Sequence, residues 1–210
     1  MDVTRAEYWD GQAATYDRTT AFLEPRLFAP ARRWVADRVS GRTLEVGVGT
    51  GANLPYYADR VPDLTIADVS PAMLRAASVR AAAVGVPVRI VEVDSAHLGL
   101  PDESFDTVVS MFSMCCVADE LAVLRELARV LRPGGRLLMA DHVESSARLG
   151  RAVQRVLDRV TPRAGGGAPS STPGAAAGCG GPGPRRDDVV ALAPRGAAGG
   201  DQVTLVLGRE

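Results

Sequence analysis

Residues 45 to 53 read Glu45-Val46-Gly47-Val48-Gly49-Thr50-Gly51-Ala52-Asn53, with three glycines spaced two apart. Glycines in that pattern let a backbone turn sharply and approach a ligand more closely than any Cβ would permit, and a helix beginning there offers free N–H groups. Asp68 follows 21 residues after Gly47, the distance at which a carboxylate can accept hydrogen bonds from ribose hydroxyls. Gly47, Gly49 and Ala52 also satisfy the dinucleotide pattern G-x-G-x-x-A, so these residues alone leave the ribose-bearing cofactor undecided.

The elements that must position this loop come from hydrophobic patterning. Thr43–Val46, Leu64–Ala67, Val88–Val93, Asp106–Met111 and Arg136–Ala140 are short β-rich runs and read as strands. Ser70 before Pro71 is the expected order at a helix start, giving a helix over Pro71–Ala83. Glu120–Leu131 carries Leu121, Leu124, Leu127, Ala128 and Leu131 on one stripe, and Pro133-Gly134-Gly135 stops it. Residues 5–38 look like two helices broken near Pro25 and Pro30. Strands alternating with helices predict an α/β fold, a Rossmann-like parallel sheet with helices on both faces. Its ligand should lie beyond the carboxyl ends of the strands, where strand order reverses.

Further motifs follow the loop in order: Asp68-Val69-Ser70-Pro71-Ala72-Met73-Leu74, Val93-Asp94-Ser95-Ala96, Phe105-Asp106-Thr107-Val108-Val109, and Val130-Leu131-Arg132-Pro133-Gly134-Gly135. Over about residues 8–160 this series resembles the class I S-adenosylmethionine-dependent methyltransferases, in the branch of the ubiquinone and menaquinone enzymes. Residues Gly49–Tyr57, Cys116-Val117 and Asp141-His142-Val143 are similar to phosphatidylethanolamine N-methyltransferases and thiol methyltransferases. The resemblance implies S-adenosyl-L-methionine as cofactor and S-adenosyl-L-homocysteine as product. Glu45, Gly47, Gly49, Gly51 and Asn53 would then hold the methionine part, Asp68 the ribose, and Met73 and Asp94 the adenine, with Val69 and Ser95 as further cofactor contacts. Tyr16, in a recurrent Tyr-Asp pair, would touch the cofactor, and Met111 and nearby residues after the fourth strand would face the sulfonium and the substrate. Trp9 and Tyr8 are candidates for a lid. Methyl transfer depends mostly on alignment, but a phenol or alcohol acceptor needs a base, for which His142 is the best placed residue.

Composition bounds the alternatives. All 24 basic residues are arginine and the net charge is -1, so no basic field favours nucleic acid. The absence of lysine removes the common Tyr-x-x-x-Lys version of a nicotinamide-dependent oxidoreductase. No apolar run is long enough for an integral membrane segment, and the N-terminus lacks a secretory pattern. Three cysteines give no disulfide framework, so a reduced, cytoplasmic protein is expected. The partner is a small-molecule or lipid substrate, with a homodimer left open and no metal expected.

Four regions are expected: a helical lid at 1–40, a cofactor-binding core at 41–160, a low-complexity segment at 161–186, and a residual helix and strand at 187–210. Half of the 22 Gly and 14 Pro fall after residue 160, and Gly165–Pro184 has no apolar period. Arg148–Val160 reads as a helix, Asp187–Leu192 as another, and Gln202–Leu207 as a strand. With one strand where the resemblance implies two, the C-terminal antiparallel hairpin is expected to be incomplete, and residues 164–200 read as a frame-shifted or inserted stretch. An impaired, cofactor-binding protein is therefore the alternative to an active methyltransferase.

Overall fold

The computed structural model describes residues 4–22, 24–58, 60–142, 189–192 and 202–208. Five parallel strands form its centre: β1 (Arg42–Val46), β2 (Asp63–Asp68), β3 (Val88–Glu92), β4 (Phe105–Met111) and β5 (Leu131–His142). Two more, β6 (Val189–Leu192) and β7 (Gln202–Gly208), pair antiparallel, and the sheet order is β3-β2-β1-β4-β5-β7-β6. Strand order reverses between β1 and β4, so the crevice forms above Val46 and Ser110, which are register partners.

Successive residues of a strand point to opposite faces, and two cores result. Leu64, Ile66, Val109 and Leu138 pack with α3 (Ala29–Ala36), α4 (Leu54–Tyr57) and α5 (Pro71–Ala83) on one face. Leu44, Val46, Val108 and Leu137 pack with α6 (Glu120–Val130) on the other. The expected sheet with helices on both faces is therefore present. Ser70 caps α5 by accepting from Met73 N at 3.1 Å, with Pro71 in the first turn. Asp119 caps α6 through Ala122 N at 2.9 Å.

Several details differ from the sequence reading. Residues 5–36 form α1 (Arg5–Gln12), α2 (Tyr16–Thr20), a π-turn at Glu24–Phe28 and then α3, rather than two helices. Pro25 lies in the π-turn and Pro30 in the first turn of α3, where a missing N–H costs nothing. Ala31, Val35 and Ala36 of α3 join the core, so only α1 and α2 stand over the crevice. Strand β5 starts at Leu131, five residues before Arg136, because Leu131 pairs with Phe105 across an irregularity. Val189–Leu192, expected as a helix, is strand β6 on β7, with a register shift between Val189 and Leu192. Four apolar residues are too few to show a period, and the pairing edge of β7 decides. The closing antiparallel pair thus has two strands, one of them short and irregular. The helix at 148–160 and the low-complexity segment 161–186 lie outside the described residues, as does most of 164–200. No helix among the described residues is long and apolar enough to cross a membrane.

Candidate active site

The crevice is an open cleft at the carboxyl ends of β1 and β4. Its floor is the glycine loop. Gly47, Gly49 and Gly51 have φ of 69°, 55° and 77°, a region that favours glycine. A Cβ on Gly47 would sit 2.5 Å from Ser113 Cβ, so this glycine admits the turn after β4. A Cβ on Gly49 would meet nothing within 4 Å; this edge of the loop is bare backbone facing the cleft.

Asp68, at the carboxyl end of β2, orders the loop. Its Oδ2 accepts from Gly49 N at 2.8 Å and its Oδ1 from Ser70 N at 3.0 Å. Burial pushes the Asp68 carboxyl up, against the pull of the Ser70, Gly49 and Val69 N–H groups. Beyond it, Val69, Met73 and Val93 make an apolar slot, with Asp94 and Ser95 at the rim. Asp94 also closes its own turn, Oδ1 accepting from Ala96 N at 2.9 Å.

The roof is α1 and α2. Arg5, Trp9 and Tyr16 line the cleft, and Trp9 meets Tyr16 edge-on at 6.1 Å. Neither helix buries a residue, so polar latches hold them. Asp10 accepts from Ser70 Oγ at 2.5 Å and Ala72 N at 2.9 Å, at the N-terminus of α5. The Ser70 hydroxyl, with the Ala72 N–H, lowers the Asp10 pKa. Asp17 accepts from Thr50 Oγ1 at 2.6 Å and pairs with Arg80. The remaining wall is Ser110, Phe112, Ser113, Met114, Cys116, Val117 and Val123. Phe112 has φ 55° without being glycine, a strained conformation of the kind that gathers at functional sites.

Beneath the loop lies a buried polar chain. Asn53 Nδ2 donates to Glu45 Oε1 at 2.6 Å, Arg32 Nη1 donates to Asn53 Oδ1, and Arg32 Nε donates to Glu24 Oε1 at 2.7 Å. Glu45 is 1% exposed and Arg32 8%. Glu45 Oε2 and the neighbouring Tyr57 hydroxyl make no hydrogen bond of good geometry. Burial pushes the Glu45 carboxyl up to about 7, although Asn53, Tyr57 and Arg32 oppose it. Burial likewise raises the Tyr57 hydroxyl, with Glu45 adding to the effect.

Of the residues singled out from sequence, Tyr16, Gly47, Gly49, Asp68, Val69, Met73, Asp94 and Ser95 line this one cleft. Glu45, Gly51, Asn53 and Met111 do not. Strand alternation explains two of them: Val46 and Ser110 face the cleft, so Glu45 and Met111 turn to the opposite face, where Met111 joins the core. Asn53 turns inward to Glu45, and Gly51 packs so close to Ala77 that a Cβ would lie 3.1 Å from its Cα. His142 ends β5, its backbone paired with Gln202.

Residues 44–139 match the family of the methyltransferase domain. The chain is 40% identical over 135 residues to a phosphatidylethanolamine N-methyltransferase of Cereibacter sphaeroides, covering 62% of this chain and 66% of that protein. The chain belongs to the class I S-adenosylmethionine-dependent methyltransferases. It is also 37% identical over 107 residues to a demethylmenaquinone methyltransferase of Thermus thermophilus, covering 50% of this chain and 49% of that one. The chain therefore spans from about half to about two thirds of the length of these relatives. A methyltransferase from Aquifex aeolicus shares the fold, with a TM-score of 0.61 at 18% identity over 94% of this chain and 98% of that chain.

Of the other residues of the cleft, Arg5 was not singled out from the sequence, and Phe112, Ser113 and Met114 were covered only as residues near Met111 after the fourth strand. Arg5 is one helical turn before Trp9, a spacing that places both on one side of α1 and could have been read. The unusual φ of Phe112 leaves no mark in the sequence. Cys116, of the Cys-Val pair, lines the cleft and is half-buried.

Proposed function

We propose that the chain transfers a methyl group from S-adenosylmethionine to a small-molecule or lipid-headgroup acceptor. The observation that carries this reading is Asp68, which ties the bare backbone of Gly49 to the start of α5 at the rim of the cleft. The residues present fit the cofactor. The open edge of Gly49 receives its methionine part, Asp68 its ribose, and Val69, Met73, Val93, Asp94 and Ser95 its adenine. When bound, the cofactor supplies a methyl group on a sulfonium that is already an activated leaving group.

The chain's own part is placement and exclusion of water. Trp9 and Tyr16 close the cleft from above, and Phe112, Met114 and Val117 present apolar surface from the side. Asp68 and Asp94 set a negative field that suits a cationic cofactor, with Arg5 the one basic residue among the described lining. That lining has no histidine or lysine, so an acceptor that is nucleophilic as it arrives, such as a free amine, thiolate or enolate, needs nothing more from it. For a phenol or alcohol, His142 is the residue we assign as base.

The test is calorimetry with S-adenosylhomocysteine and with NADH, followed by a methyl-transfer screen across aminophospholipids, quinols, thiols and phenols. Binding of S-adenosylhomocysteine alone is the expected result. Binding of NADH alone would overturn the proposal, and cofactor binding with no acceptor methylated would favour a protein that binds without turning over.

A further inference from the structure

Among the described residues Arg32 is the one buried arginine. Burying a guanidinium is costly unless its donors are satisfied, and Arg32 spends them in three directions. Its Nε and Nη2 form a fork on Glu24 at 2.7 and 3.2 Å. Its Nη1 reaches Asn53. Its carbon centre lies 5.7 Å from the Phe28 ring centroid and 5.4 Å from that of Phe112, and those rings touch at 4.7 Å.

Two of these contacts lead into the cleft from different walls. Asn53 closes the glycine loop, and Arg32 occupies its carbonyl oxygen, which obliges the amide to turn its NH₂ to Glu45. Phe112 forms the wall after β4 in a left-handed conformation, and its backbone N donates to Ala140 O at 2.7 Å. Arg32 itself is not among the residues lining the cleft. It sits on α3, behind both walls.

We propose that Arg32 is a positioning residue for methyl transfer, setting the glycine loop through Asn53 and the opposite wall through the Phe112 ring. This inference rests on the cofactor assignment above. A planar fork with two faces can make all these contacts at once. A lysine keeps the charge but, as a point donor, serves either Glu24 or Asn53.

The experiment is calorimetric titration with S-adenosylhomocysteine of the full chain, as wild type, Arg32→Lys, Asn53→Ala and the double variant, well below the melting temperature. The binding stoichiometry reports the folded fraction, which separates positioning from mere stability. A lost hydrogen bond to a buried charge corresponds to a loss of about tenfold or more. Each single variant should weaken binding by about that factor at unchanged stoichiometry, and the double should be no weaker than the weaker single, because Arg32 acts on the cofactor through Asn53. In a methyl-transfer assay Asn53→Ala should raise KM for the cofactor, while Arg32→Lys should also lower kcat through Phe112.

An unchanged dissociation constant with a reduced stoichiometry means that Arg32 only stabilises the fold, and overturns the proposal. Penalties that add in the double variant overturn it too. If Arg32→Lys does not fold, Asn53→Ala, which leaves the Arg32–Glu24 pair in place, decides alone: about tenfold weaker binding supports the link, and unchanged binding refutes it. Failure of the wild type to bind S-adenosylhomocysteine would instead remove the cofactor assignment itself.

Discussion

Glu45→Gln should make the chain more stable at neutral and alkaline pH. In the folded chain the Glu45 carboxyl titrates at about 7, against 4.5 for an ordinary glutamate, mainly because it is buried. Between those values the folded chain holds a proton that the unfolded chain has released, so stability falls as pH rises. At 1.36 kcal/mol per pKa unit the full loss is about 3 kcal/mol, with about 2 kcal/mol of it between pH 5 and pH 7. A glutamine does not titrate. Its oxygen can still accept from Asn53, and its NH₂ can face the Tyr57 hydroxyl as the Glu45 carboxyl does. Arg32 keeps its fork on Glu24 and is not left uncompensated. Urea denaturation at fixed ionic strength from pH 5 to pH 8 measures the difference. Asp68 is shifted in the same direction, but it is common to both proteins and cancels in the comparison. The two stability curves should lie close together at pH 5 and be about 2 to 3 kcal/mol apart by pH 8. Parallel curves would falsify the claim that Glu45 is held protonated by its surroundings.

Gly47→Ala and Gly49→Ala share a strained φ costing about 1–2 kcal/mol, but only the first meets Ser113, so only Gly47→Ala should gain from an added Ser113→Gly. Gly49→Ala should instead lose affinity for S-adenosylhomocysteine out of proportion to its loss of stability, read by calorimetry beside urea denaturation. Asp17→Ala removes the Arg80 pair and the Thr50 contact from a half-exposed carboxylate; it should cost under about 1 kcal/mol of stability while speeding release of S-adenosylhomocysteine in stopped flow, and an unchanged release rate would show that α2 is not a lid. Asp68→Asn places one NH₂ against either the Gly49 or the Ser70 N–H, so binding of S-adenosylhomocysteine should weaken about tenfold or more; equal affinity would remove Asp68 from the site.

What could be read in advance follows from the range over which each cause acts. The glycine loop, Ser70 before Pro71 and the stripe over Glu120–Val130 are local, and the five parallel strands follow from alternating runs. Eight of the residues proposed from the sequence share the cleft because each stands at or just beyond the carboxyl end of a strand, or on the roof above. Glu45 and Met111 were legible as well, had strand parity been applied to them: Val46 and Ser110 claim the cleft face, and their neighbours must take the other. Arg32 was not legible in that way. In a chain where every basic residue is arginine, its type carries no information, and it meets Asn53 across 21 residues of sequence only when α3 packs beneath the loop. The strand at Val189–Leu192 is a third case, set by the edge it pairs with rather than by its own four residues. The acid at the end of β1 thus belongs to a different physical unit from the acid at the end of β2. Asp68 orders the cleft from within, whereas Glu45, through Asn53 and Arg32, fastens it from behind to α3.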